Sequence, residues 1–367
     1  MRNTFGNNIS ITLFGESHGG EIGAVLDGLA PGIKIDEEFI GHQLSLRRPS
    51  GNISTARVEA DKFRIVSGVF EGYTTGAPLC ILIPNENTRS KDYSKTKDLP
   101  RPGHADFAAR CKYHGFEDYR GGGHFSGRLT APIVAAGAIL ISALRDKGIF
   151  IGTHMSSLAG IKDAEFDANC LSEDINKLSL SEFAVLDSKA GERMKEAIVA
   201  AKMDSDSVGG ILETAVIGVP SGVGEPWFDS AESMISHAMF SIPAIKGVEF
   251  GDGFAMADMR GSEANDPFRV ENGNVVTLTN HNGGINGGIT NGMPILFKCA
   301  VKPTPSIFKN QQTVDMARGE NAELALEGRH DPAIIHRARV VVDSMTAFVI
   351  ADLLTGRYGP DFLKTER

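Results

Sequence analysis

The sequence has few cysteines, and their spacing excludes two kinds of site. Only 4 of its 367 residues are cysteine, and no two form a CxxC pair. Neither a disulfide framework nor a cysteine zinc site is therefore expected, and the reducing cytoplasm is the compartment that fits best. The residues from Met1 to Gly6 lack the basic and apolar regions of a signal peptide, so we expect no export.

Long hydrophobic segments and an excess of positive charge are also lacking. The longest apolar run, from Leu129 to Leu144, is shorter than the roughly 20 residues that cross a bilayer, and we interpret it as a buried helix. Lysine and arginine total 37 against 46 aspartate and glutamate, which makes the net charge −9. Because polyanions and anionic lipids attract an excess of positive charge, neither a nucleic acid nor a membrane is an expected partner.

What the sequence does contain is typical of a folded, soluble protein. Hydrophobic residues make up 41% of it and charged residues 23%, which excludes wholesale disorder and a coiled coil. Its 42 glycines occur in clusters, as expected where backbone turns sharply or approaches a ligand closely. No linker, low-complexity segment or fixed-period repeat divides the chain, so we predict a single domain over residues 1–367.

The pattern of apolar residues predicts a mixture of strands and helices. Strands are predicted at Ile9–Phe14, Phe63–Phe70, Leu79–Pro84, Ile211–Val219 and Ile295–Val301. Helices are predicted at Glu37–Arg47 with Asp36 as its N-cap, and at Thr130–Lys147, Ser181–Met203 and Ala333–Tyr358. Because glycine turns often separate the strands, we expect an α+β fold with largely antiparallel sheets and not a regular βαβ alternation.

Two early segments carry residues suited to chemistry. His18 lies in a glycine-rich turn directly after a predicted strand, where it is either a proton carrier or a residue that hydrogen-bonds the turn. Arg47 and Arg48 close the first predicted helix, with Arg57 beyond them. Arginine forks bind phosphate and carboxylate oxygens, although cations at a helix C-terminus also serve only to offset the helix dipole.

The densest such region runs from residue 101 to residue 128. It contains five basic side chains against three acidic ones, in a chain that is acidic overall. Its Arg-Gly-Gly-Gly stretch precedes the helix predicted at Thr130, an arrangement that favours an anion but matches neither the Walker nor the dinucleotide spacing. Polar glycine turns recur around residues 282–289 and 302–306 and again just before the last helix, and no metal-binding spacing occurs among them.

Taken in order, these segments resemble the chorismate synthase family across nearly the whole chain. The motifs are Gly15-Glu16-Ser17-His18-Gly19, Arg47-Arg48-Pro49, Arg101-Pro102-Gly103-His104-Ala105-Asp106, Arg120-Gly121-Gly122-Gly123, the run from Lys246 to Phe254, Lys302-Pro303-Thr304 and Gly328-Arg329-His330-Asp331-Pro332. Several motifs in the family's order are more specific than any one of them. The resemblance implies a layered sandwich of helices and largely antiparallel sheets.

The resemblance also implies a reaction and a cofactor. Members of the family are carbon–oxygen lyases that convert 5-enolpyruvylshikimate 3-phosphate to chorismate by 1,4-anti elimination of phosphate, using reduced FMN without net redox change. This is the last common step of the shikimate pathway to the aromatic amino acids. By the same resemblance His18 protonates the reduced flavin, His104 assists the leaving phosphate, and Asp331 lies near flavin N5.

Binding residues and assembly follow from the family as well. The substrate contacts it implies are Arg47, Arg48, Arg128, Lys302 and Arg329. The flavin contacts it implies are His124, Phe125, Ser126, Ala244, Gly287, Lys302, Pro303, Thr304, Pro305, Ser306 and Arg329, and Arg48 and Arg57 match positions for NADPH, a candidate reductant. A cytoplasmic homotetramer is expected on the same ground.

The sequence departs from the family pattern at two predicted flavin contacts. Relatives commonly have Arg-Ser-Ser-Ala-Arg where this chain has the residues from His124 to Arg128, and Asn-Ala where it has Pro243-Ala244. These changes keep one rival open, a flavin or nucleotide binder that has lost catalysis. A second rival is a metal-dependent hydrolase that uses His18, His104, Asp106, His124 and His330, although no HxH or HxxxH spacing supports it.

Overall fold

Two five-stranded antiparallel sheets enclose a layer of buried helices. The computed structural model describes residues 2–49, 51–54, 60–86, 97–326 and 331–366. The helices are α1 Glu37–Arg47, α2 Asp106–Tyr113, α3 Thr130–Asp146, α4 Leu171–Leu180, α5 Ser188–Met203, α6 Ala231–Ser241, α7 Gly261–Ala264 and α8 Ile335–Tyr358. The strands are β1 Thr4–Phe5, β2 Ser10–Gly15, β3 Glu21–Asp27, β4 Arg64–Ser67, β5 Val69–Phe70, β6 Tyr73–Thr74, β7 Leu79–Pro84, β8 Phe150–Leu158, β9 Ile161–Lys162, β10 Gly210–Ile217, β11 Ile245–Phe250, β12 Phe268–Glu271, β13 Asn274–Thr277, β14 Ile285–Asn286, β15 Ile289–Thr290, β16 Ile295–Val301, β17 Gln311–Asp315 and β18 Glu320–Leu324.

The first sheet has the strand order β1-β2-β3-β7-β4 and packs against α3. Its strand β7 alternates as a half-buried strand should, with Leu79, Ile81 and Ile83 fully buried. In the neighbouring strand Ile22 pairs with Ile83 and Ala24 with Ile81, so the apolar side chains of β3 share that face. Strand β2 of this sheet ends at Gly15, directly before the turn that carries His18.

The second sheet has the order β11-β16-β10-β8-β9 and is covered on both faces. Helix α8 packs against β8 and β10, and α4 contacts the same two strands through a separate cluster that contains Leu171, Ile175 and Ala215. Burial on both faces explains why β8 is nearly continuous in buried residues and does not alternate.

Helices α3 and α8 contact each other between the sheets, with α1 and α6 packed beside them. One continuous cluster of buried apolar residues joins both sheets and these helices. All strand pairs in the described ranges are antiparallel. The expected α+β layered fold is therefore confirmed.

One segment of the described chain, Gly127–Asp146, is long and apolar enough to span a membrane by length and composition. However, 89% of it is buried inside the protein, where α3 packs against α8, α1 and the first sheet. The interpretation of this apolar run as a buried helix is confirmed.

Most predicted elements occur within a few residues of their expected bounds. Helix α1 and strands β7 and β16 have the predicted ends, and the Asp36 carboxylate accepts a hydrogen bond from Phe39 N as an N-cap. The strand predicted at Phe63–Phe70 is split at Gly68, whose φ is +85°. A Cβ at that position would come 2.5 Å from Leu79 Cα, so close packing against β7 requires glycine there.

The helix predicted at Ser181–Met203 was wrong in its first seven residues, because α5 begins at Ser188 with Asp187 as its N-cap. The segment just before α5 instead makes hydrogen bonds to distant residues through its backbone. Asp163 accepts hydrogen bonds from the amides of Leu186 and Asp187, and Met155 N donates to Ala184 O. An extended segment can make these contacts with the second sheet, whereas a helix would use the same groups internally.

Candidate active site

A tight turn brings Arg101 and His104 side by side. His104 N donates to Arg101 O at 3.1 Å, and Gly103 at the third position has a φ of +73°. Proline at the second position and glycine at the third are what a type II turn requires. The turn leads into α2, whose first residue is Asp106. The sequence Arg-Pro-Gly-His-Ala-Asp therefore folds into one compact unit.

Asp106 connects the two basic side chains of this unit. Its carboxylate accepts from Arg101 Nε and Nη2, both at 2.8 Å, and from Arg101 N at 3.0 Å. The same carboxylate lies 2.6 Å from His104 Nδ1. Burial raises the pKa of Asp106, but the hydrogen bonds and charges of Arg101 and His104 outweigh it and hold that pKa far below its usual range. Asp106 is thus an ionised acceptor at neutral pH.

The triple-glycine turn lies against both histidines. Gly121, Gly122 and Gly123 have φ values of +60°, +84° and +52°, a left-handed run that side chains disfavour. A Cβ at Gly121 would come 2.6 Å from His18 Nε2, and one at Gly122 would come 3.2 Å from His104 Cε1. Adjacent glycines therefore touch the two imidazoles, which places His18 and His104 in one small site.

The turn also anchors the segment that carries His18. Gly123 O accepts a hydrogen bond from Ser17 N at 3.1 Å, and His124 Nδ1 lies 2.9 Å from Gly15 O. The glycines do not run directly into α3: they lie within a short 3₁₀ segment, Arg120–Phe125, and a second one, Gly127–Leu129, precedes Thr130. Their role in this structure is to let the two histidines approach.

The turn at residues 302–306 also packs against the Arg101–His104 turn. Lys302 Nζ donates to Gly103 O, and Arg101 Nη1 donates to Ser306 Oγ at 3.2 Å. Lys302 N in turn donates to the carbonyl of Ala244, a residue with a left-handed φ of +76°. The structure thus brings together four segments that the sequence separates widely: the turns at His18, His104 and Gly121–Gly123, and the Lys302–Ser306 turn with Ala244.

Arg47 and Arg128, both predicted substrate contacts, lie buried around one carboxylate. Arg47 Nη2 donates to Asp61 Oδ2 at 2.9 Å, and Arg128 Nη1 donates to Asp61 Oδ1. Although burial raises the pKa of Asp61, the two guanidinium groups outweigh it and the pKa is lowered. Arg128 also donates to Asn85 Oδ1 and Pro84 O, which ties it to the end of β7. Part of the positive charge of both arginines is therefore already neutralised.

Asp331 lies at the start of the last helix and is held by Arg337. Arg337 Nη1 donates to Asp331 Oδ2 at 2.5 Å, and Arg337 Nε donates to Arg47 O at 2.8 Å. This pair connects to the 302–306 turn through the segment just before β10, because Val208 N donates to Pro332 O and Ser207 Oγ donates to Thr304 O. Asp331 therefore belongs to the same region as the arginine pair and the turn.

The remaining predicted contacts are less enclosed. Phe125 is partly exposed and packs edge-on against Tyr113, and Ser126 Oγ accepts from Arg128 N. Gly287 forms the tip of the β14–β15 hairpin with open space around it. Arg48 is half-buried, and its Nε has no hydrogen-bond partner among the described residues. Arg57 and Arg329 lie outside the described residues, as does His330 of the metal-site rival.

Sequence reasoning missed several residues that build this site. Arg101 lay in a quoted motif without a role, and Asp106 had one only in the rival metal-dependent hydrolase. No local signal in the sequence indicates that Asp61 pairs with Arg47 and Arg128, or that Arg337 contacts Arg47. Only the His-x-Asp spacing around His104 could have indicated a carboxylate partner. No group of three or more His, Cys, Asp or Glu side chains that could hold a metal occurs in the part of the chain that the structure describes.

Comparisons with known proteins show what this chain is similar to. The profile of the family described as "Chorismate synthase" matches residues 9–355. A chorismate synthase of Pyrococcus abyssi is 47% identical over 352 residues, which cover 96% of this chain and 97% of that protein. One of Chitinophaga pinensis is also 47% identical, with 96% of each chain covered. A solved structure titled "Crystal Structure of Chorismate Synthase" has a TM-score of 0.77 at 30% identity, over 98% of this chain and 96% of that one.

The fold and these relatives first define the class: the protein is an enzyme, and specifically a lyase. More narrowly, the chain belongs to the chorismate synthase family. The family resemblance carried by the sequence motifs is therefore confirmed.

Proposed function

We propose that this enzyme converts 5-enolpyruvylshikimate 3-phosphate to chorismate by 1,4-anti elimination of phosphate, with reduced FMN as its cofactor. The observation that carries the proposal is the contact of His18 and His104 with adjacent glycines of one turn. Two proton carriers in one site suit a reaction in which a leaving phosphate and a cofactor both need protons. The match of the family profile over residues 9–355 supports the same reaction.

The charge of the surrounding residues suits this substrate, which carries two carboxylates and a phosphate. The cations that we assign to its anionic groups, by carry-over from the family, are Arg47, Arg48, Arg128, Lys302 and Arg329. Arg48 supports the assignment because its buried Nε lacks a partner among the described residues. Such a donor favours an anion that completes its hydrogen bonds.

The residues present fit a flavin mononucleotide. Two predicted contact segments carry buried hydroxyl oxygens without a partner among the described residues, Ser17 Oγ beside His18 and Thr304 Oγ1 in the 302–306 turn. Orphaned buried hydroxyls of this kind are explained by a polar ligand that binds them. Reduced FMN, when bound, supplies a transient electron to the substrate and recovers it, so that the reaction has no net redox change.

The chain would hold this cofactor through the contacts carried over from the family: His124, Phe125, Ser126, Ala244, Gly287, the residues from Lys302 to Ser306, and Arg329. We assign His18 to protonation of the cofactor and His104 to protonation of the leaving phosphate oxygen. By the same carry-over, Asp331 would lie near flavin N5 and help that atom accept the proton removed from the substrate, and its hydrogen bond with Arg337 fixes the orientation of that carboxylate. Arg48 and Arg57 would serve NADPH if the enzyme uses it as the reductant.

We further propose that the enzyme acts as a homotetramer of single-domain chains in the cytoplasm. The exposed hairpin of β12 and β13 supports association, because Phe268, Val270 and Val275 are each more than 60% exposed. Apolar side chains on a solvated two-stranded sheet favour contact with another surface. Sedimentation of the purified protein tests the tetramer directly.

The decisive experiment is an anaerobic assay with 5-enolpyruvylshikimate 3-phosphate and dithionite-reduced FMN, with oxidised FMN as the control. We expect chorismate absorbance and stoichiometric phosphate release only with reduced FMN. Binding of FMN without product would instead identify a flavin binder that has lost catalysis. Absence of FMN binding would show that the changes at His124, Phe125 and Pro243 have removed the cofactor site.

A further inference from the structure

The hydrogen bonds around Asp106 determine which nitrogen of His104 carries a proton. Asp106 is ionised at neutral pH and can only accept, and its Oδ1 lies 2.6 Å from His104 Nδ1. Arg101 Nη2, which can only donate, also lies 3.1 Å from Nδ1, but the carboxylate oxygen is closer, and an unprotonated Nδ1 would place its lone pair against that oxygen. The proton therefore lies on Nδ1, and Nε2 is left to exchange protons.

The other ring nitrogen lies toward the glycine turn. A Cβ built on Gly122 would come 3.4 Å from His104 Nε2 and 3.2 Å from Cε1. Gly121, the neighbouring glycine, contacts His18, so Nε2 of His104 lies against the turn that both histidines contact. The atom that exchanges protons thus lies inside the candidate site, while Nδ1 faces the Asp106 support.

Three nitrogen atoms of Arg101 hold the Asp106 carboxylate. Arg101 binds it through two side-chain nitrogens and its backbone amide, and Arg101 Nη1 reaches Ser306 Oγ at 3.2 Å. The side chains of Arg101, His104 and Asp106 are between 15% and 24% exposed. A bidentate arginine fork fixes a carboxylate in plane and direction more closely than a single contact does.

On this geometry, and resting on the proposed function, we propose that Asp106, clamped by Arg101, is a positioning residue for His104. It fixes the Nδ1–H tautomer, directs Nε2 at the departing phosphate oxygen and compensates the positive charge of the protonated ring. The contact between Arg101 and Ser306 links this support to the proposed flavin turn, so that the orientation of His104 is coupled to that turn. Asp106 does not touch the substrate and transfers no proton itself.

The test is the variant Asp106→Asn, which keeps the shape and loses the charge. General acid catalysis contributes about 10²- to 10⁴-fold, so we expect kcat to fall by about 10²-fold with KM changed by less than about threefold. We also expect the alkaline limb of the pH–rate profile to move to lower pH, because the protonated ring has lost its counter-charge. The variant Asp106→Glu, which restores a carboxylate, should recover part of kcat and return the limb toward its original position.

The matched control is Asp98→Asn. Asp98 likewise pairs with an arginine, since Arg110 Nη1 of α2 donates to it at 2.9 Å, but it contacts no histidine within the described ranges. We expect this variant to keep the pH profile of the parent enzyme. An Asp106→Asn enzyme with the parent's kcat and pH profile would overturn the proposal, as would one whose kcat falls while its pH profile stays unchanged.

A readout independent of turnover separates this proposal from the proposed function. Long-range ¹H–¹⁵N spectra of protein labelled at the histidine rings, assigned by comparison with His104→Gln, report which ring nitrogen carries the proton. We expect the Nδ1–H tautomer in the parent protein and a mixture in Asp106→Asn. If the parent protein gives no chorismate but shows this tautomer change, the reaction is wrong and the positioning stands. If His104 carries its proton on Nε2, the positioning is wrong whatever the activity.

Discussion

Arg47 and Asp61 form an ion pair at 2.9 Å in which the arginine side chain is 4% exposed and the carboxylate is fully buried. Arg128 binds the other oxygen of the same carboxylate. The Asp61 carboxylate therefore pairs with two of the arginines assigned to the substrate. Removing its charge would leave both arginines without this counter-charge.

Replacing Asp61 by Asn should lower the free energy of unfolding by about 3–5 kcal/mol, the usual loss when a buried ion pair loses one partner. Denaturant unfolding followed by circular dichroism measures it. The control is Glu21→Gln, which removes an exposed pair with Arg64 and should cost less than about 1 kcal/mol. Equal losses of unfolding free energy in the two variants would show that burial does not strengthen the dependence on the Asp61 pair.

Gly121→Ala should reduce turnover more than stability. The left-handed backbone costs an alanine about 1 kcal/mol, and its Cβ would lie 2.6 Å from the His18 ring. Gly115→Ala is the matched control, since Gly115 has a φ of +79° with nothing within 4 Å of an added Cβ. We expect similar melting temperatures for the two variants but a lower kcat only for Gly121→Ala. An unchanged kcat in Gly121→Ala would contradict the proposal that turnover depends on the close contact between this turn and His18.

His18→Ala and His104→Ala should each lower kcat by about 10²-fold or more, because each removes one proton carrier. Both variants should keep the circular dichroism spectrum of the parent protein. His114→Asn, at the exposed C-cap of α2, is the control and should keep the parent rate. Parent-like turnover in either alanine variant would contradict the role of that histidine.

Arg48→Ala should act mainly on substrate binding. A hydrogen bond to a charged group contributes about 1.5–3 kcal/mol, so we expect KM for the substrate to rise by about tenfold to a hundredfold with a smaller change in kcat. Steady-state kinetics at saturating reduced FMN measure both constants. Arg64→Ala provides an exposed arginine for comparison, and an unchanged KM in Arg48→Ala would show that this guanidinium does not bind substrate.

The surroundings of His154 make the free energy of unfolding depend on pH. Burial lowers the pKa of His154, but hydrogen bonds to Asp163 at 2.7 Å and Glu213 at 2.9 Å outweigh it and raise that pKa above its ordinary value. Because the folded protein binds this proton more tightly, the contribution is complete below about pH 6.5 and is lost as pH rises through the folded pKa. Lys298 and the ring of Phe166 are the other groups that face this cluster.

Unfolding free energies of the parent and His154→Gln proteins between pH 6 and pH 9 test this dependence. The difference between the two should be largest at pH 6 and shrink as pH rises, since only the parent loses the charged hydrogen bonds. Exposed His114→Asn should follow the parent curve. A difference that stays constant with pH would mean that His154 contributes packing alone.

Local pattern was enough to predict several elements and the family. Strands β7 and β16 have the predicted ends, because the alternation of apolar residues indicates which face is buried. Helix α1 was predicted from its Asp36 N-cap and the helical spacing of its apolar residues. The same pattern could not place the start of α5, because the carboxylate of Asp163 and the strand at Met155 compete for the backbone of the preceding segment.

The residue types of the site are evident from the sequence: histidines in glycine turns, arginines beside them and proline–glycine at the Arg101 turn. Which of these residues meet depends on the packing of distant segments. The contacts of Gly121 with His18, Asp61 with Arg128 and Asp331 with Arg337 depend on how the two sheets and the buried helices pack, and Arg101 and Asp106 acquire a role only through their distances to His104. Sequence spacing determines local turns, whereas burial and charge pairing between distant segments are settled when the whole core forms.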